Sequence, residues 1–489
     1  MASRLSRSLG SLSSLLPFLA PSQGSDPSSS HPAGAGAYAA IPLSSLPNSP
    51  LDAEKQHTYA APGAPSSTRR NALAHAWLWV SPLLVLALAS STYLAARRPD
   101  SGVVDPYVCA PKSNWTVLRD VCAADRGAGE QKDDNYELAL DRHLTQDQCD
   151  AIYPGLYLEV ERARDYWKAR GGVTQKDLDE AEAQGQARAM IVNNRLYVKS
   201  YSDNQQGTRT KAALALINEA LITAPEAVPD IEFVIQTGDN GIPKGAPWAL
   251  GRKEREEQLT LMPDYSFFSW PEPHVDSWQE VADHTLEYET RLRWEDKINK
   301  LLWRGAFLVD IRKELWEIAR KHKWGAVADL DWGDREQVNQ LLLTPEQHCD
   351  YKFLAHVEGL AYSGRLKYLT QCRSVIVAHK MRYVQHFHHL FNSDPTSPHQ
   401  NLVTVPGRHF DELPAVMGQL LGDDARAKQI ADTSYAFWRH WLSAASVDCY
   451  WRRLFREWRE VMAFEPVVTR NLTSYNSFIL MGKAHWDAF

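Results

Sequence analysis

The stretch YKFLAHVEGLAYSGRLKYLTQCRSVIVAH, Tyr351 to His379, decides the fold. YKFLAHVEG and RSVIVAH read as two buried strands, and GRLKYL between them reads as a helix that Ser363 would cap. A strand, a helix and a second buried strand in that order imply a parallel sheet covered by helices. In open parallel sheets a ligand sits beyond the carboxyl ends of the strands, and a helix that begins there offers unpaired amides. Ser363, Gly364, Arg365 and Lys367 therefore stand where a phosphate would be held. Gly364 permits close backbone approach, and Arg365 can grip two phosphate oxygens at once. A capped helix with two solvated cations is the plainer alternative.

The same alternation extends upstream. KAALALINEALITA has helical apolar spacing, and IEFVIQT (Ile231 to Thr237) reads as a buried strand ending at the turn Gly238-Asp239-Asn240-Gly241. KLLWRG (Lys300 to Gly305) reads as a strand edge, followed by the helix IRKELWEIARKH with Asp310 as its cap. The fold class is α/β.

At 489 residues with 44% hydrophobic content, the chain can bury a core large enough for two domains once its ends are set aside. A net charge of −7 excludes a surface that neutralises nucleic-acid phosphates, so any anionic ligand must meet local cations.

Residues 1–71, rich in Ser, Pro, Ala and Gly, read as a disordered tail; the opening, with its Arg and Ser content, also has the look of a transit or signal peptide. The uncharged run from Ala76 to Ala96 is long enough to cross hydrocarbon, which makes 72–96 a transmembrane signal anchor. Arg69 and Arg70 on one side balance Arg97 and Arg98 on the other, so charge leaves the orientation undecided. All six cysteines and the acceptor sequons at Asn114 and Asn471 follow this segment, which points to an oxidising lumen on that side. Free buried cysteines are the alternative. The expected organisation is a cytosolic tail (1–71), the anchor, a stem (97–148), an acceptor lobe (149–280), a nucleotide-sugar lobe (281–440) and a helical segment returning to the first lobe (441–489).

The Tyr351 to His379 stretch, together with KLLWRGAFLVDIRK and LMPDYSFFSWPEP upstream, resembles glycosyltransferase family 90, the capsule-associated and lipopolysaccharide-modifying enzymes that include protein O-glucosyltransferases and capsular xylosyltransferases. The resemblance implies two Rossmann-like lobes of the GT-B type, a UDP-xylose or UDP-glucose donor, and inversion at the anomeric carbon. It implies Asp239 as catalytic base, and Arg304, Gly305 and Arg365 at the donor diphosphate, with Arg312 in support where Phe307 and Leu308 replace the family's small hydroxyl residues. Asn240 and Gly241 depart from the family's form beside the catalytic aspartate. Asp264, Trp270 and Glu272 would line the acceptor or sugar cleft, or else form an aromatic core turn. The family pattern implies that Cys349 pairs with Cys372, and that Cys449 ties the last helix to the first lobe, with Cys149 as first choice of partner. The setting implied is the Golgi or endoplasmic reticulum membrane, the partners a UDP-sugar and a glycan or glycoprotein acceptor.

Two acid-x-acid triplets, Asp177-Leu178-Asp179 and Asp329-Leu330-Asp331, spell a pattern that holds a divalent ion in metal-dependent transferases. Neither coincides with the donor motif, so no metal or other cofactor is expected. HFHHLF (His386 to Phe391) reads as an interfacial or surface histidine group. A catalytically silent carbohydrate-binding protein and a glycosidase with paired carboxylates are the alternatives; the second leaves the phosphate-type cations without a purpose.

Overall fold

The computed structural model describes residues 141–204, 206–238, 244–270, 275–469 and 472–484. The expected tail and anchor lie outside these, as do Asn114, Asn471, Cys109, Cys122, Asp239 and Glu272. Among the described residues no helix is long and apolar enough to cross a membrane.

Two sheets organise the chain. The second is wholly parallel and is built from Ile298–Gly305, Gly325–Asp329, Tyr351–His356, Val375–Ala378 and Val403–Thr404. Numbered within that lobe, the strands lie in the order 2-1-3-4-5, a doubly wound topology that reverses direction between Ile298–Gly305 and Tyr351–His356. Its inner strands are buried apolar runs because helices cover both faces. One face packs Trp303, Phe353 and Val375 against Ile311 and Leu315 of the helix Asp310–Ala319 and against Met417 and Ile430 farther on.

The first sheet departs from the expected Rossmann-like form. Ala187–Val192 pairs antiparallel with both Arg195–Tyr201 and Ile231–Gln236, and only Pro247–Ala249 and Thr260–Leu261 continue in parallel. Asn193 and Asn194 have φ of 49° and 57°, so both residues of a two-residue loop occupy the left-handed region that turns a strand back on its neighbour. The asparagine pair between two apolar runs was the available sequence signal. Trp248 anchors this lobe, stacked on Phe233 at 4.0 Å and edge-on to Trp458 at 5.5 Å.

Beyond residue 441 the chain returns to the first sheet. The helix Ala444–Val461 lies against Leu158–Lys168 and Gly207–Ile222, and Arg452 donates to the carbonyls of Ala220, Leu144 and Arg142. Thr473–Ser474 adds an edge strand beside Arg195–Tyr201.

Cys149 and Cys449 form a disulfide, as do Cys349 and Cys372. The second bridge joins the residues just ahead of two neighbouring parallel strands, Tyr351–His356 and Val375–Ala378. Its partners are 23 residues apart, so it removes about 3 kcal/mol of chain entropy from the unfolded state. Replacing Cys349 and Cys372 together by Ser is expected to lower the thermal midpoint by several degrees, roughly in line with that figure. Unreduced peptide mapping should recover both pairs; either cysteine linked to Cys109 or Cys122 would contradict the pairing.

Candidate functional site

The point where a doubly wound sheet reverses direction leaves a crevice beyond the carboxyl ends of its strands. Here that edge carries Arg304 and Gly305, which end one central strand, and the loop from Val357 to Arg365, which follows the other. Arg365 is half-buried, with its Nη2 packed over Gly305: a Cβ at residue 305 would fall 3.0 Å from that nitrogen and 3.0 Å from the Trp303 ring. A side chain at 305 would therefore press on both the Arg365 guanidinium and the Trp303 ring. The guanidinium groups of Arg365 and Arg312 each lie 5.5 Å from the Trp303 ring centre. Arg312 donates to the carbonyls of Glu358 and Ala306, at 3.1 and 2.9 Å, which fixes the two loops relative to each other.

The electrostatics are one-sided. Among the described residues the Arg365 side chain has no carboxylate within ion-pair distance and no hydrogen bond. Burial, with the neighbouring Arg312 charge, pushes its pKa down to about 9, which still leaves it protonated at neutral pH. Arg304 turns its Nη1 to the carbonyls of Trp303 and Ala326, and its buried Nε has no partner. Burial also holds the Arg304 pKa below its ordinary value.

Three local expectations are corrected. The helix after Ser363 is a single turn, Leu366–Leu369, with Arg365 at its N-cap and no side-chain cap; Ser363 contributes its carbonyl to Leu366 N–H at 3.2 Å. A turn so short carries little dipole, so cationic side chains must supply the field. Asp310 is the first residue of its helix, and Val309 is the cap. Lys367 does not face the crevice. It is 1% exposed and ion-paired with Asp264 at 3.2 Å, and it also donates to Ser266 Oγ and to the Gly364 carbonyl.

Asp264 is likewise buried rather than open to a cleft. Its Oδ1 accepts from Ser266 N at 2.7 Å, from Ser266 Oγ and from Lys367, while its Oδ2 accepts from Tyr362 Oη. Burial alone would raise its pKa; Lys367 and these donors outweigh it and hold the carboxyl below its ordinary value. Both oxygens are occupied, so Asp264 is poorly suited to act as a base. Trp270, half-buried, stands edge-on to Tyr265 at 5.8 Å and close to Gly364.

Asp239 and Glu272 lie outside the described residues, but the root of the Asp239 loop is well placed. Thr237 N–H donates to Gln186 Oε1 at 2.6 Å, and its hydroxyl lies 2.9 Å from that of Thr210 in the first turn of Gly207–Ile222. Arg209 in that same turn lies over Tyr265. Thr237 and Tyr265 thus both meet the first turn of that helix.

The acid triplets are engaged in structure. Asp177 caps its helix with Thr174, Asp179 pairs with Arg188, Asp331 accepts from Gly333 N–H, and Asp329 Oδ1 accepts from Phe307 N–H at 2.9 Å. Asp329 nevertheless ends the second strand of the parallel sheet, a position the triplet pattern by itself did not reveal. Of the expected interfacial or surface setting, His386 departs from the second: it is buried where Phe267, Phe387 and Tyr450 meet. Among the described residues the one cluster with metal-ligand atoms in reach is Glu289, Cys349 and Cys372, whose sulfurs are joined to each other.

A family model described as glycosyl transferase family 90 matches residues 146–484. The O-glucosyltransferase rumi of Drosophila melanogaster is similar at 23% identity over 326 residues, covering 60% of this chain and 77% of its own. Protein O-glucosyltransferase 2 of Danio rerio is similar at 26% identity over 310 residues, 57% of this chain and 56% of that one. Among solved structures, Anabaena Alr3699/HepE in complex with UDP and glucose aligns at 13% identity and a TM-score of 0.25, over 40% of this chain and 55% of that one.

Removing one partner of a buried pair leaves the other uncompensated. Lys367→Met is therefore expected to destabilise the fold by about 3–5 kcal/mol, read in a denaturant melt. Because the Asp264 carboxyl is held low, its contribution to stability is present above about pH 4 and is lost as pH falls through the folded-state value. Asp264→Asn should accordingly lose stability less steeply in acid than the wild type; identical acid limbs would refute the assignment.

Proposed function

Since the chain belongs to glycosyl transferase family 90, we propose that it moves a sugar, glucose or xylose, from a UDP-sugar to a hydroxyl of a glycan or glycoprotein with inversion at the anomeric carbon. The observation that carries this reading is Arg365, a half-buried cation with no counter-charge among the described residues, set at the reversal point of a parallel sheet. A buried charge without a partner is costly, and a diphosphate is the anion whose geometry matches a planar guanidinium fork. The names of the similar O-glucosyltransferases favour glucose and a protein acceptor.

In this reading the acceptor oxygen attacks the anomeric carbon while Asp239 takes its proton, and the bond to the β-phosphate oxygen breaks on the opposite face. Negative charge develops on the departing UDP. Arg365, backed by Arg312 and Arg304, meets it in the transition state. Gly305 and Gly364 let the backbone come close, and Asp329 at the end of the second strand is placed to accept from ribose hydroxyls, as an acidic residue does there in other doubly wound folds. Trp270 would offer a face to a sugar. Protein cations take the place of a divalent ion, so no metal is needed. Residues 72–96 anchor the enzyme in a Golgi or endoplasmic reticulum membrane with the lobes in the lumen. The uncharged run from Ala76 to Ala96 and the two disulfides of the folded part support this setting.

The test is hydrolysis and transfer assayed against a panel of UDP-sugars. Asp239→Asn should lower turnover by about 10²–10⁴ with donor affinity nearly unchanged. Arg365→Ala should lose both affinity and turnover, and Arg365→Lys should recover only part of them, because a point charge lacks the fork. Activity should survive EDTA. A loss in EDTA that manganese restores would overturn the metal-free reading, and near wild-type turnover in Asp239→Asn would overturn the base.

A further inference from the structure

The turn that carries Arg365 is held from outside its own lobe. Three residues around Arg365, namely Tyr362, Lys367 and Tyr368, meet a single segment of the first lobe. Tyr362 Oη donates to Asp264 Oδ2, and Lys367 Nζ lies 3.2 Å from Asp264 Oδ1. Tyr368 Oη donates to the Ser266 carbonyl at 3.0 Å. A Cβ on Gly364 would lie 3.4 Å from Asp264 Oδ2, in ordinary contact. Arg365 itself reaches the other way, over Gly305 of the parallel sheet.

We propose that Asp264 is a positioning residue: a buried anion in the first lobe that fixes the turn 362–368 and so presets the Arg365 fork for the donor. The inference rests on the UDP-sugar reading above and adds to it that donor affinity is set partly by a side chain that never touches the donor. The physical basis is that a lone arginine side chain carries several rotatable bonds, whereas one rooted in a turn pinned at three residues loses less freedom on binding. Asp264 can serve in this way because it is fully desolvated and both its oxygens are committed, so the knot has one satisfied arrangement. Had the same carboxylate faced the cleft, it would have repelled the diphosphate.

The experiment uses the purified full-length chain and UDP as probe, by titration calorimetry. Tyr362→Phe removes one hydroxyl and leaves the Asp264–Lys367 pair in place, so the fold should persist and its thermal midpoint can be read beside the wild type's. The hydrogen-bond donor lost from the buried Asp264 Oδ2 lowers that midpoint by a few degrees at most, and UDP affinity should fall roughly three- to ten-fold, the size of one lost hydrogen bond, while the acceptor KM stays put. In an Arg365→Lys background the same substitution should cost less than about two-fold, because a flexible ammonium has no fork to preset. Wild-type UDP affinity in Tyr362→Phe, or a penalty equally large beside Lys at 365, would overturn the proposal. A raised acceptor KM with donor affinity intact would also overturn it, by placing Asp264 and Tyr362 at the acceptor. If the wild type itself failed to bind UDP, the donor reading would fall first, and the two failures are thereby told apart.

Discussion

A guanidinium taken half out of water, with no carboxylate to meet it among the described residues, is the constraint around which this molecule is arranged. Arg365 lies over Gly305 and Trp303, beside a second cation on Arg312, and burial of like charges in that way is unfavourable until an anion arrives. The surrounding structure absorbs the strain of holding it. Trp303 offers a ring face to both cations, Gly305 vacates the space a side chain would fill, and Arg312 is fixed by two backbone carbonyls. An anion bound beside these cations would be linked to fold stability, because it would bind the folded chain and not the unfolded one.

The parallel sheet supplies the place, and the first lobe supplies the grip. A doubly wound topology opens a crevice wherever strand order reverses, and in this chain the reversal falls between the strands ending at Gly305 and at His356. Within its own lobe the loop after His356 is held near its start, where Arg312 donates to the Glu358 carbonyl. Farther along, Tyr362, Lys367 and Tyr368 are held by Asp264 and Ser266, which follow the edge strand Thr260–Leu261 of the other sheet. The helix Ala444–Val461 reinforces the first lobe through Arg452 and through Tyr450, which donates to the Leu261 carbonyl at 3.0 Å, just ahead of the Asp264 segment.

Buried apolar runs are legible because strands covered on both faces have no other composition available, and the sequence located Ile231–Gln236, Tyr351–His356 and Val375–Ala378 to within a few residues. The expected pairing of Cys349 with Cys372 came from family likeness and is met in the folded chain. The antiparallel first sheet was missed, although Asn193-Asn194 carried its signal, because strand direction depends on two φ angles that apolar patterning does not report.

What the sequence determined by itself is therefore the alternation of elements, the parallel second lobe, and the chemical types gathered at its edge: two glycines for close approach and arginines for an anion. What only the tertiary structure decided is which cations remain unpaired. Arg365 and Lys367 are two residues apart and look equivalent in a string of letters. Folding places an aspartate from about a hundred residues upstream against one of them and not the other. Lys367 thereby becomes half of a buried pair and Arg365 is left to face the crevice, because long-range neighbours, and not local sequence, set the electrostatic environment of each charge.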